Sequence, residues 1–141
     1  MVRIMGLDLG DKTIGVAISD LLGWTAQGVE VIRKEGKNAM MQRLQELVDL
    51  HEVSKIVVGL PRNMDGTLGE RAEKSKKFAQ EIQQQLSLPV DLWDERLSTV
   101  AAEKMLIEAD TRRKKRKKVI DKVAATIILQ NYLDAQSSGR S

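Results

Sequence analysis

The apolar residues of this 141-residue chain follow two different periods, and the change from one to the other dictates an α/β architecture. In the first third, Arg3–Leu9 (RIMGLDL) and Thr13–Ser19 (TIGVAIS) are short, β-rich runs. They flank Gly10-Asp11-Lys12, a compact turn with glycine where the backbone must bend. Trp24–Ile32 (WTAQGVEVI) reads as a third strand, and three strands with short links predict an antiparallel meander. Beyond them Met40, Leu44, Leu47, Val48 and His51 recur at helical spacing, predicting a helix over Asn38–His51. Lys55–Gly59 (KIVVG) reads as a buried strand and Pro89–Trp93 (PVDLW) as a fifth one. Between them Glu70–Leu86 places Ala72, Ala79, Ile82 and Leu86 on one helical stripe. A helix is expected after Leu97, capped by Ser98 or Thr99, with Ala101, Ala102, Met105 and Ala109 facing inward. A last helix is expected over Val119–Leu133, followed by a polar tail, Ala135–Ser141. This order predicts one domain, 1–141, built on a five-stranded mixed sheet. A meander leads into right-handed crossovers, with helices packed on both faces.

With 42% hydrophobic and 30% charged residues the composition is that of a globular protein with an ordinary core. The absence of Cys excludes disulfides, thiol nucleophiles and thiolate metal sites, and a single histidine, His51, excludes a multi-histidine zinc site. His51 ends an apolar helical stripe and reads as a core or capping residue rather than a catalytic base. No apolar run approaches the ~18 residues of a membrane span, and Met1-Val2-Arg3-Ile4 does not open a signal peptide, so a cytoplasmic location without membrane contact is expected.

The formal charge of +3 conceals a concentration of cations. Arg112, Arg113, Lys114, Lys115, Arg116, Lys117 and Lys118 are consecutive, and without them 16 basic residues face 20 acidic ones. All the positive excess therefore lies in one short stretch, an address for a polyanion. Like charges at Arg112/Arg116 and Arg113/Lys117 disfavour a helix, so Asp110–Lys118 is expected to be an exposed, mobile loop. The four aromatic residues form no stacking signature, and recognition of nucleic acid would rest on backbone and shape.

Three carboxylates occupy awkward positions. Asp8 lies within the first strand, on the face of Ile4, Gly6 and Gly10, and those glycines are expected to leave open space beside it. Glu95 follows the fifth strand at its C-terminal edge, where open α/β sheets bind ligands. Asp121 shares a helical face with Ala124, Ala125 and Ile128, which turns an acid toward the sheet. Each has a plainer reading, as a turn acid, a loop acid or a helix-dipole partner. Together they could converge at one sheet edge. Clustered carboxylates call for a hard divalent cation, Mg²⁺ or Mn²⁺, and such ions serve phosphodiester hydrolysis. Arg62, in the loop after the fourth strand, could hold a phosphate, with Asn63 and Thr67 orienting water or backbone. Arg96 could clamp phosphate or simply neutralise its neighbours.

Four segments carry a family resemblance: Gly6-Leu7-Asp8-Leu9-Gly10 with Gly15; Gly59-Leu60-Pro61 through Asn63-Met64-Asp65-Gly66-Thr67; Asp94-Glu95-Arg96-Leu97-Ser98-Thr99; and Lys118 through Ala125. Spread in order over nearly the whole chain, they resemble the YqgF (also called RuvX) family of bacterial ribonuclease-H-like proteins. The resemblance implies a metal-dependent nuclease fold with Asp8, Glu95 and Asp121 as catalytic carboxylates. It implies maturation of the 5′ end of pre-16S ribosomal RNA, within ribosomal precursor particles or free of them. Cleavage of branched DNA, the Holliday junction, is the older proposal for the family. A monomer and a homodimer both satisfy the sequence. Two rivals remain. Asp8, Gly10 and Gly15 also resemble the first phosphate loop of the sugar-kinase/actin fold, but that architecture needs two such domains. A non-catalytic nucleic-acid-binding module would have little reason to retain the three acids.

Overall fold

The computed structural model describes residues 3–10, 12–61, 69–95 and 117–138, with the backbone alone for 117–122 and 137–138. Strands β1 (Arg3–Leu9), β2 (Thr13–Ser19) and β3 (Ala26–Arg33) precede helix α1 (Lys37–His51), strand β4 (Val53–Leu60), helix α2 (Glu70–Leu86), strand β5 (Val90–Asp94) and helix α3 (Lys117–Ser138). One sheet holds all five strands in the order β3-β2-β1-β4-β5. The first three pair antiparallel, whereas β4 pairs parallel to β1 and to β5. The expected meander followed by parallel crossovers is thus present.

Strict alternation along β1 divides the core in two. Met5, Leu7, Val16, Ile56 and Val58 pack beneath the buried stripes of α1 and α2. Met40, Leu44, Leu47 and Val48 form the stripe of α1, and Ala72, Phe78, Ala79, Ile82 and Leu86 that of α2. Both helices end in a left-handed residue, Glu52 and Ser87, whose N–H returns to Val48 O and Gln83 O. On the opposite face Ala17 and Val57 meet Ala125, Ile128, Leu129, Tyr132 and Leu133 of α3. Alternation lets one set of strands serve both layers.

β4, β5, the start of α1 and the end of β3 are offset from expectation by one or two residues, and three further boundaries differ for a visible reason. β3 begins at Ala26 rather than Trp24, because the Asp20 carboxylate accepts from Trp24 N (2.8 Å) and Thr25 Oγ1 (3.1 Å) and keeps those residues in the turn. Those hydrogen bonds also hold the exposed Asp20 carboxyl below the usual carboxylate range. Helix α3 begins at Lys117, so Lys117 and Lys118 belong to a helix and not to a loop. Lysine is a good helix former, and each added residue gains a backbone hydrogen bond that outweighs a repulsion of a few tenths of a kcal/mol. The same helix continues to Ser138, so the supposed polar tail is helical over its first four residues; nothing between Leu133 and Gly139 breaks it. The remainder of the basic run, the helix expected after Leu97 and the last three residues lie outside the described residues.

Candidate active site

Asp8 is the penultimate residue of β1, just before the turn that leaves the strand, and only 4% of its surface is exposed. Its face of the sheet is the α3 face. Gly6, two residues earlier, lies against the helix so closely that a Cβ there would stand 2.7 Å from Leu129 Cβ and 3.3 Å from the Ala125 carbonyl oxygen. Gly6 therefore leaves no open space of its own, contrary to the sequence expectation for that glycine. Its missing side chain is what seats α3 on the strand.

Strand register relates Asp8 to Glu95. β1 and β4 align Leu7 with Val58, so the next residues, Asp8 and Gly59, are level neighbours on adjacent strands about 4.8 Å apart. A Cβ on Gly59 would lie 3.1 Å from Glu95 Oε2 and 2.6 Å from Ile128 Cδ1. Gly59 is thus the floor beneath the Glu95 carboxylate, and Asp8 occupies the adjoining strand on the same face. Sequence reasoning missed this role for Gly59. A glycine closing the β-branched run Ile56-Val57-Val58 was its signal. Asp8 and Glu95 both interact with their surroundings.

The register of α3 is equally informative. Ile4 packs against the clusters that hold Leu129, Tyr132 and Leu133, and Gly6 meets Ala125 and Leu129, so the helix descends as β1 ascends. Two more strand residues and one more helical turn, about 7 Å and 5.4 Å, bring the backbone of position 121 level with Asp8. Ala124, Ala125 and Ile128, the expected face-sharing residues of Asp121, are fully buried.

A polar brace holds the strand that delivers Glu95. Asp91 Oδ2 on β5 accepts from Lys55 Nζ of β4 (2.8 Å) and from the hydroxyl of Tyr132 on α3 (2.7 Å). Lys55, then Tyr132, hold the Asp91 carboxyl below its ordinary value, while Asp91 raises Lys55 and burial raises the Tyr132 phenol. The Trp93 ring meets Tyr132 edge-on at 5.9 Å, completing a link between α3 and the strand residue two before Glu95.

Among the described residues no three His, Cys, Asp or Glu side chains share a metal-sized site; the side chain of Asp121 lies outside them, as do Arg62, Asn63, Thr67, Arg96 and Arg112–Arg116. Lys117 and Lys118 open α3. His51 is remote: its carbonyl oxygen accepts from Arg3 Nη1 (3.2 Å), at the other end of β1, five residues or about 17 Å from Asp8.

Comparison with known proteins agrees with this architecture. Residues 2–135 match the family model described as RuvX, Holliday junction resolvase. A Heliobacterium modesticaldum protein provisionally named a pre-16S rRNA nuclease is 60% identical over 136 residues, covering 96% of this chain and 91% of that one. A Listeria monocytogenes protein of the same provisional name is 62% identical over 135 residues, covering 94% and 98%. Among solved structures, Thermus thermophilus RuvC in complex with a Holliday junction substrate aligns with a TM-score of 0.61 over 98% of this chain and 97% of that one, at 14% identity. Fowlpox virus resolvase, with its Holliday junction DNA, aligns at 0.56 over 96% and 99%, at 12% identity. At such identity these two establish the fold alone, a ribonuclease-H-like resolvase fold. The family model and the near-full-length relatives go further: the chain belongs to the RuvX family.

Proposed function

We propose that this protein is a divalent-metal-dependent endonuclease of the cytoplasm that matures the 5′ end of pre-16S ribosomal RNA, with Asp8, Glu95 and Asp121 at the reaction centre. The observation that carries the reading is the seat of Glu95 Oε2 over Gly59, one strand away from the buried Asp8 and on the same face. Two carboxylates facing one another across adjacent strands repel unless a cation or donor lies between them. Their oxygen donors fit a hard ion, Mg²⁺ or Mn²⁺, and fit a soft one poorly. Asp8 and Glu95, with Asp121 from α3, would hold it. Such an ion lowers the pKa of water and offsets the charge that builds on a phosphoryl group. The chain's own contribution is placement. Asp8 is held by a central strand, and Glu95 by the braced end of β5. Asp121 stands on a helix seated against Gly6. Arg62, Arg96 and the cations Arg112–Lys118 would hold the phosphate backbone of the substrate. The names of the relatives support RNA as that substrate.

The test uses purified protein with Mg²⁺ or Mn²⁺, offering labelled pre-16S 5′-leader RNA and a four-way DNA junction in parallel. Cleavage of the RNA is expected, falling roughly a hundredfold or more in Asp8→Asn, as the loss of several kcal/mol of charge stabilisation requires. Cleavage of the junction alone would transfer the function to recombination, the activity in the family's description. Undiminished cleavage by Asp8→Asn would refute the assignment of the site.

A further inference from the structure

The C-terminal edge of the sheet carries a second polar feature, on the face away from Glu95. A cleft of about 270 Å³ is lined by Leu9, Gly10, Lys34, Arg71 and Lys74. Three segments distant in sequence build it. Lys34 follows β3 and is tied down at both ends: its N–H donates to Lys12 O (2.9 Å) and its Nζ donates to Gly10 O (2.9 Å). Arg71 and Lys74 stand three apart on the opening turns of α2 and so share one helical face. Among the described residues no carboxylate lines the cleft. Glu70, the nearest acid in sequence, lies 3.5 Å from Lys74 Nζ and is 84% exposed, so it does little to neutralise the group. Against a chain that is net acidic outside its seven-residue basic run, three cations around one cleft are a local concentration of opposite sign.

Its position gives the concentration a meaning. Gly10 lies two residues and about 7 Å beyond Asp8, immediately past the end of β1. A polyanion strand crossing this edge at Asp8 and Glu95 would pass over Gly10 and down between Lys34 and the start of α2. The volume falls short of the range typical of drug-sized ligands, about 300–1,000 Å³, and suits a single small anionic unit. One held, half-buried lysine flanked by two exposed cations can position a nucleic-acid backbone without reading its sequence.

We infer that the Lys34–Arg71–Lys74 cleft binds a non-scissile phosphodiester of the nucleic-acid substrate, on the opposite face of the sheet from Asp8 and Glu95. This inference rests on the proposed nuclease function and specifies how its substrate is held. Lys34 is left intact in the test because its Nζ also supports the Gly10 turn; Arg71 and Lys74 are exposed and can be changed without disturbing the core.

The experiment measures binding of labelled leader RNA and of the four-way DNA junction by Asp8→Asn protein at several salt concentrations. It is repeated with Arg71→Gln/Lys74→Gln added, and with Lys76→Gln/Lys77→Gln added as a charge-matched control farther along α2. The cleft variant should flatten the dependence of log K on log salt by roughly 0.7 for each phosphate left without its cation on single strands, or 0.9 on duplex, while the control leaves it nearly unchanged. An effect with RNA alone, or with the junction alone, upholds the cleft and identifies its substrate. Equal slopes for the cleft variant and the control would overturn it. Failure of the Asp8→Asn protein to bind either nucleic acid would overturn the nuclease reading as well, which distinguishes the two failures.

Discussion

Two glycines on neighbouring strands support α3 and Glu95 in different ways, and alanine substitution separates the two roles. In Gly6→Ala the new Cβ would sit 2.7 Å from Leu129 Cβ and 3.3 Å from the Ala125 carbonyl. Ordinary carbon contacts are about 3.5–4.0 Å, so the helix must lift by roughly 1 Å. No rotamer change relieves the contact, because the atoms opposite are a Cβ and a backbone oxygen. Overpacking of this kind costs about 1–3 kcal/mol, and at about 3–4 °C per kcal/mol the melting temperature should fall by about 3–12 °C. In Gly59→Ala the closest atom, at 2.6 Å, is the tip of Ile128, which can swing aside, and a strand gains from losing a glycine. The net stability change should stay within about 1 kcal/mol. Glu95 Oε2, at 3.1 Å, must still give by a few tenths of an ångström. Because a 1 Å misplacement can cost a hundredfold, cleavage by Gly59→Ala should drop about tenfold without a matching loss of fold. Circular dichroism melts and single-turnover cleavage of the leader RNA read the two quantities separately. A Gly6→Ala melt within a degree of the parent would refute the seating of α3. Loss of Gly59→Ala activity only in proportion to the unfolded fraction would refute the role of Gly59 under Glu95.

Removing the phenol in Tyr132→Phe deletes one charge-assisted hydrogen bond to Asp91 and should cost about 1–3 kcal/mol, read from the urea midpoint at constant m-value. Asp91 and Glu30 both titrate below the ordinary carboxylate value, held down by Lys55 and Arg43 respectively, so each contributes stability that is present above about pH 4 and lost as pH falls through its folded-state value. Urea midpoints should therefore decline on acidification below about pH 4, and Asp91→Asn should flatten that decline. Lys55 works in the opposite sense: its raised value contributes stability present below pH 10.5 and lost as pH climbs past the folded-state value, a loss that Asp91→Asn should also reduce. Gln130 accepts from Ala26 N (2.9 Å) and donates to Trp24 O (3.0 Å), so Gln130→Ala should accelerate hydrogen exchange at Ala26 and cost about 1 kcal/mol. Chelation with EDTA should abolish RNA cleavage, and added Mg²⁺ or Mn²⁺ should restore it; cleavage that persists in chelator would refute the metal requirement.

Local pattern made most of the fold legible. β1 alternates as its sequence indicates because only a strand buried on both sides can place Met5 and Leu7 against one helical layer and Gly6 against another. The bounds of α2 agree with the periodic reading at both ends, since its apolar stripe runs its full length. Trp24 misled because β propensity is weaker than a nearby carboxylate able to hold the turn. The end of α3 misled because apolar periodicity stops where burial stops, at Leu133, whereas hydrogen bonding continues while no breaker intervenes. At the site, Asp8 and Glu95 were visible as acids in costly places, but the glycine beside Asp8 was misread. A missing side chain looks the same in a sequence whether ligand or helix fills the space. The Lys55–Asp91–Tyr132 brace had no signal, since its members lie dozens of residues apart and each is ordinary on its own.

The placement of α3 also has a consequence in time. Ribosomes add roughly 5–20 residues per second, and 44 positions separate the end of β5 at Asp94 from the end of α3 at Ser138. For roughly 2–9 s the strands can pair while the helix that packs on Ala17 and Val57 is still being made, an interval in which chaperones or aggregation compete for the nascent chain. That helix is also the one that carries Asp121. A copy terminated before α3 is then sticky, and under the role proposed for Asp121 it is inert as well.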